Sequence, residues 1–321
     1  MKAAIVRERG HAPEYGDFPD PVAGPGEVLV RVEAVPVNPL TISRAAGVHY
    51  SADVPPPFVP GVDGVGRTPE GRRGYFDFPR PPFGAMAELA PVTVDRLVEL
   101  PDGVDARAFA AAALPGRSCW IPLTRRARVS PGDGVLIHGA TGAAGTIAVQ
   151  VARHLGAGRV VATGRNPVEL ERLRAIGATD LVRNDADPER FRAEIRSVAA
   201  EAKVSIVLDY LWGPTSETLI AALGGPGGPR GTGRIRYIEI GSIAGPSISL
   251  PSAPLRSSGV EILGHGIGSS TPEEERAAFR EFLDAFASSR FRLDTEVHPL
   301  SEITALWGRT GGAHRLVFAV P

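Results

Sequence analysis

The sequence predicts a doubly wound parallel α/β sheet joined to a second, mainly antiparallel β region, and three observations carry that reading. The first is the stretch 135–145, VLIHGATGAAG, in which an apolar run suited to a buried strand is followed by a turn of small residues. Beyond it Ile147, Ala148, Val151, Ala152 and Leu155 recur at helical spacing and define a face to bury. The second is the alternation that follows, with strand-like runs at 159–163, 180–183, 205–210 and 235–240 separated by helical patterns near 168–176, 188–202 and 215–223. Helices of that length between strands are what parallel crossovers need. The third is a change of texture before residue 115, where apolar runs at 3–6, 28–32 and 87–94 alternate with turns rich in Pro and Gly and helical periodicity is scarce. That is the pattern of an antiparallel, loop-rich β region.

The remaining elements follow in order. A strand is expected at 259–264 and an amphipathic helix at 272–288, with Phe279, Phe282, Leu283 and Phe286 on one face. Thr271, Pro272, Glu273 and Glu274 supply its start: a hydroxyl cap, proline at the first position and acids in the first turn. A closing strand at 315–320 is expected to return to the first region. With 321 residues and 43% hydrophobic content the chain can fill two cores. Its net charge of −1, without any block of like charge, gives no reason to expect nucleic acid as a partner. Cys119 is the only cysteine, so neither an internal disulfide nor a thiolate metal cluster is expected, and its place in a helical stretch suggests packing. The first residues are too soon charged for a signal peptide, and no apolar run reaches the roughly 20 residues that span a bilayer, so the expectation is a cytoplasmic protein without membrane attachment.

The chemistry begins at the turn. Ala140, Gly142 and Gly145 follow the order A-x-G-x-x-G, the dinucleotide pattern with alanine for its first glycine. Ala140, Thr141, Gly142, Ala143, Ala144 and Gly145 would then present backbone N–H groups at a helix start to a pyrophosphate. The same turn could be a small-residue connection that binds nothing; its place after the first strand of an alternating region favours the cofactor. The second strand runs into Thr163, Gly164, Arg165 and Asn166, with no acid before Glu169. An acid there would select NADH through the ribose 2′-hydroxyl, whereas small residues and a guanidinium suit the 2′-phosphate of NADPH. The alternative for Arg165 is a solvated arginine in a surface turn.

Taken with the segments 25–32, 37–39, 58–66, 83–88, 131–137, 173–178, 207–209 and 240–242, these motifs make a collinear match. Over essentially its whole length the sequence resembles the medium-chain dehydrogenase/reductase superfamily, and within it the zinc-free quinone oxidoreductase-like branch. The resemblance implies a GroES-like substrate domain built from residues 1–117 and 269–321, a Rossmann NADP-binding domain at 118–268, and a cleft where they meet. It implies that Gly61, Val62 and Asp63 stand where zinc-dependent relatives carry Gly-His-Glu, and the region of Pro36, Val37 and Asn38 where they carry a cysteine ligand. The seven histidines show no ligand spacing. It further implies Asn38 at the nicotinamide and substrate end of the cleft, and Tyr50, or its neighbour His49, as a pocket residue. Thr41 stands where many relatives have an acid. The residues alone make Asn38 an asparagine in an X-Pro turn. Gly241 and Ser242, with Asp209 and Tyr210, are implied to line the cofactor, and the strand at 260–266 to pair across a two-fold axis in a homodimer. The implied activity is zinc-independent hydride transfer from NADPH to a quinone or to the C=C bond of an α,β-unsaturated carbonyl (an enone). The alternatives are a biosynthetic enoyl reductase on a polyketide-like substrate and a non-enzymatic NADPH-binding sensor or structural protein.

Overall fold

Strands form where branched and aromatic residues alternate or run together, and helices where their apolar residues share one face. The computed structural model describes every residue except 185–186, 225–232, 290 and 310–313. The chain begins with β1 (Lys2–Ile5), β2 (Glu14–Asp17), β3 (Glu27–Pro36), α1 (Pro39–Ala46), β4 (Asp63–Arg67), β5 (Arg73–Asp77), β6 (Leu89–Thr93), β7 (Leu97–Glu99) and α2 (Ala106–Ile121). The alternating part is β8 (Gly134–His138), α3 (Ala143–His154), β9 (Arg159–Gly164), α4 (Pro167–Arg172), β10 (Asp180–Arg183), α5 (Pro188–Glu201), β11 (Val204–Asp209), α6 (Gly213–Gly224), β12 (Ile235–Glu239), α7 (Ser252–Ser257) and β13 (Val260–Gly264). Helix α8 (Pro272–Ser288), β14 (Thr295–Pro299), α9 (Ile303–Leu306) and β15 (Arg315–Ala319) follow. The chain divides into two compact units, one of Met1–Leu114 with Leu283–Pro321, the other of Pro115–Phe282, so the divisions fall inside α2 and α8.

The first unit is built on a largely antiparallel sheet in the order β14-β15-β3-β4-β5-β7, with β6 also on β3. Strand β15 does return: Val317, Phe318 and Ala319 pair antiparallel with Pro36, Val35 and Ala34, beside the segment that leads to Asn38. Its core includes Ile5, Phe76, Met86 and Phe318, each nearly inaccessible to water. The second unit is a six-stranded parallel sheet in the order β10-β9-β8-β11-β12-β13. The chain runs outward from β8 through β9 and β10, then resumes at β11 on the other side, so the strand order reverses between β8 and β11. Ligands of such sheets bind beyond the carboxyl ends of the strands at that reversal. Strand β8 is buried along its whole length, as expected for a central strand covered on both faces.

Three features depart from the sequence pattern. The helical stretch at 168–176 divides into α4 and a 3-10 turn at Leu173–Ile176. Helix α2 leaves no amphipathic trace because the alanines at 110–113 are all buried and show no polar face. Helix α1 leaves none because eight residues give little over two turns, too few to establish a period.

Candidate functional site

The turn after β8 is shaped by close packing. A Cβ on Gly145 would lie 2.4 Å from the Ala140 Cα, so glycine is what lets α3 approach the strand. Gly142 is the N-cap of α3 and has no side chain to bond the helix's first N–H groups. The first helical bond runs from the Thr146 N–H to the Gly142 carbonyl at 2.8 Å, and among the described residues nothing accepts from the N–H groups of Ala143, Ala144 and Gly145. The Thr146 hydroxyl is buried nearby without a partner among the described residues. Space beside Gly142 is open, its would-be Cβ meeting nothing nearer than the Gly139 carbonyl at 3.7 Å. Unsatisfied donors at the positive end of a helix dipole fit a phosphate.

The end of β9 is divided between inward and outward groups. The Thr163 hydroxyl points inward, 2.7 Å from His138 Nδ1, while Nε2 of the same ring lies 3.2 Å from the Thr215 hydroxyl. Burial lowers the His138 pKa, so a neutral imidazole ties β8, β9 and α6 together. Thr163 therefore holds the strand ends in place, and its carbonyl accepts from the Ala140 N–H at 2.8 Å. A Cβ on Gly164 would lie 2.5 Å from Thr141 Cγ2, which shows that Thr141 rests against it. Arg165 is exposed, and its guanidinium makes no hydrogen bond or ion pair among the described residues. Asn166 caps α4, its Oδ1 accepting from the N–H groups of Val168 (2.9 Å) and Glu169 (3.4 Å). Glu169, the first acid after the strand, pairs with Arg172 on its own helix at 3.0 Å.

At the ends of β11 and β12, the Asp209 carbonyl accepts from the N–H groups of Ile240 and Gly241. The Asp209 side chain accepts four bonds, from Leu211 and Trp212 N–H and from the Ser216 and Tyr237 hydroxyls, at 2.6–3.2 Å. That carboxylate is spent inside the unit; Gly241 is partly exposed and Ser242 exposed on the same turn.

In the first unit Asn38 is buried, 1% exposed, and is the N-cap of α1. Its Oδ1 accepts from the Thr41 N–H at 2.8 Å, and its Nδ2 donates to Asp63 Oδ1 at 3.2 Å. Tyr75 donates its hydroxyl to the other oxygen of Asp63 at 3.2 Å. Buried Arg315 donates to the Val37 carbonyl at 2.9 Å, next to Asn38. Burial pushes the Asp63 carboxyl up to about 7, against the pull of Arg315, Tyr75 and Asn38, with Asp77 adding to the rise. Desolvation also brings Arg315 down to about 10. Tyr75 and Arg315 do not stand out in the sequence; the available signal is a lone charge opening the apolar run 315–320.

Tyr50 lies past the other end of α1, 74% exposed, its ring centroid 4.1 Å from that of His49. The structure thus does not bring Asn38 and Tyr50 together. His49 Nδ1 is 2.8 Å from the Ser51 hydroxyl, and its pKa is lowered by burial and by Arg44. A small recess of about 60 Å3, open to solvent, is lined by Thr41, Arg44, Phe58, Phe78 and Phe83 among others, without Asn38 or Tyr50. Cys119 is buried, which pushes its thiol up and leaves it a packing residue. Among the described residues no three His, Cys, Asp or Glu side chains are grouped so as to hold a metal ion.

Comparison with known proteins gives these sites a family. A family model described as zinc-binding dehydrogenase matches residues 143–288. The 2-haloacrylate reductase of a Burkholderia species is 30% identical over 224 residues, 66% of either protein. A segment of the polyketide synthase GfsB of Streptomyces halstedii is 30% identical over 226 residues, which is 67% of this chain but 4% of that protein. Both are relatives of which the chain spans less than two thirds. The quinone oxidoreductase of Thermus thermophilus, whose structure is known alone and in complex with NADPH, is 30% identical with a TM-score of 0.77, covering 99% of this chain and 100% of that one. The chain belongs to the medium-chain dehydrogenase/reductase superfamily, among its quinone oxidoreductase-like members.

Proposed function

We propose that the protein is an NADPH-dependent oxidoreductase that reduces a quinone or the C=C bond of an α,β-unsaturated carbonyl without a metal ion. The observation that carries this is the combination of N–H groups at the start of α3 and an Arg165 side chain that have no partner among the described residues, with an adjacent strand end free of acids. NADPH supplies a hydride when bound. The N–H groups of Ala143, Ala144 and Gly145 would hold its pyrophosphate and Arg165 its 2′-phosphate, and Gly241 and Ser242 would line it near the nicotinamide. The unit Pro115–Phe282, expected from the sequence at 118–268, is read as the NADP-binding domain, and Met1–Leu114 with Leu283–Pro321, expected at 1–117 and 269–321, as the substrate domain. The T. thermophilus quinone oxidoreductase, solved with NADPH, supports the reading.

In the substrate domain, the second hydrogen on Asn38 Nδ2 is the donor left for an oxygen that gains negative charge. Tyr50 is read as an outer wall of the acceptor pocket. Metal independence rests on the donor set: Asp63, preceded by Gly61 and Val62, is already committed to Asn38 and Tyr75. The open outer edge of β13 is read as the seam of a homodimer. A cytoplasmic placement belongs to the same reading; no helix among the described residues is long and apolar enough to cross a membrane. The polyketide synthase relative favours a second reading, an enoyl reductase acting on a polyketide-like thioester.

The deciding experiment follows NADPH consumption with 9,10-phenanthrenequinone, enals, cyclic enones and enoyl thioesters. Turnover of quinones or simple enones supports the first reading. Turnover of enoyl thioesters alone moves the assignment to the second. NADPH binding without turnover of any acceptor overturns both in favour of a sensor or structural role.

A further inference from the structure

We propose that Asp63 is the positioning residue of the Asn38 carboxamide, fixing which of its two ends is presented as a hydrogen-bond donor; this rests on the reading of Asn38 given above. A carboxamide turned by 180° exchanges its oxygen and nitrogen, and only its neighbours decide between the two. Here both neighbours vote alike. The Thr41 N–H can only donate and sits 2.8 Å from Oδ1, while the Asp63 carboxylate can only accept and sits 3.2 Å from Nδ2. The turned-over amide would set N–H against N–H and oxygen against oxygen.

The elements packed around Asp63 fix it in turn. Tyr75 on β5 holds its second oxygen, Arg315 on β15 supplies the opposite charge while holding the Val37 carbonyl, and Asp77 on β5 adds a second negative charge. Burial raises the Asp63 carboxyl into the neutral range, so the clamp has two strengths. Ionised, Asp63 accepts from Asn38 and Tyr75 together; protonated, it is a weaker acceptor and the grip on Asn38 loosens.

The test follows the Asn38 side-chain amide by 15N–1H correlation NMR, assigned by its loss in Asn38→Asp, alongside the pH profile of kcat. The amide signals of the intact protein should move with a midpoint near pH 7. Asp63→Asn should abolish that midpoint. Tyr75→Phe, which removes a bond to the carboxylate while keeping the ring, should move it to higher pH. With a working acceptor, kcat should follow the same midpoint and fall on the order of tenfold in Asp63→Asn, the low end for a charge-assisted hydrogen bond, with NADPH affinity unchanged. Asn38 signals that ignore pH, or that respond identically in the intact protein and in Tyr75→Phe, would overturn the proposal. Should no acceptor be turned over, the functional reading falls, while the NMR result still decides the role of Asp63.

Discussion

The turn after β8 and the cluster under α1 are both starts of helices, yet they treat their polar groups in opposite ways. At α3 the N-cap is a glycine, the first N–H groups have no acceptor among the described residues, and the Thr146 hydroxyl is buried without a partner. At α1 the N-cap is Asn38, whose side chain satisfies the Thr41 N–H and is itself held by Asp63. A buried group left unsatisfied costs roughly 1–3 kcal/mol, so the first arrangement, with several open donors, gains more by accepting a ligand than the second, where one hydrogen of Asn38 Nδ2 is left to give. Binding capacity is thus stored where the fold leaves donors open. Geometric control is stored where the fold closes them.

The largest effect expected from this contrast lies on the closed side. The ordinary carboxyl pKa is near 4 and that of Asp63 in the fold about 7, so between these values the folded state holds the extra proton. The contribution of Asp63 to stability should therefore be greatest below this window and decline as pH rises through it, by at most about 4 kcal/mol, then level off. Urea denaturation at pH 5 and pH 8 should show that decline reduced in Asp63→Asn. An unchanged difference would break the view of Asp63 as a buried, titrating clamp.

On the open side, Arg165→Ala should cost about 1.5–3 kcal/mol of NADPH binding, about 10- to 150-fold in affinity, and leave NADH binding nearly unchanged. Turnover at saturation should survive, since the contact is equally present in ground and transition states. Equal weakening of both cofactors in a binding titration would make Arg165 a structural residue. Gly145→Ala tests the packing that keeps the turn open: with backbone 2.4 Å from the new Cβ, a loss of about 1–3 kcal/mol in stability is expected, read as a lower Tm with weaker NADPH binding. An unaltered Tm would mean that α3 can shift away from the strand without cost. The smallest effect is expected from chelation. Zinc below one equivalent by elemental analysis, and turnover unaltered by a chelator, would fit a closed cluster whose carboxylate is already engaged; chelator-sensitive turnover would not.

The two sites also differ in how far the sequence reveals them. The open site is local. Its strand, small-residue turn and helix occupy 21 consecutive positions, 134–154, and period and residue size suffice to read them. The six parallel strands are readable for the same reason. The direction of the Thr163 side chain is not, because every residue of β9 after Arg159 is buried and alternation carries no signal there. The closed site is assembled from distant residues: Asn38 and Asp63 are 25 positions apart, Asp63 and Tyr75 are 12 apart, and Val37 and Arg315 are 278 apart. No local pattern encodes such pairings. The family resemblance draws attention to Asn38 and Asp63, but their mutual bond comes from the register of the sheet. Tyr50 illustrates the converse, since a position matched by resemblance stands largely in solvent.

The hydrogen bond from Arg315 to the Val37 carbonyl has a consequence for the order in which the protein is made. The second unit is one continuous segment, so all of its contacts can form while synthesis is still under way. The first unit is interrupted by it, and β3 lacks β15 as its neighbour until residue 315 has emerged. During that interval the exposed edge of β3 and an Asp63 without its countercharge coexist with a finished six-stranded second unit. The newly made chain should therefore acquire affinity for NADPH before it acquires an ordered Asn38, and a ribosome-bound intermediate stalled ahead of β15 is the species most exposed to strand-pairing errors.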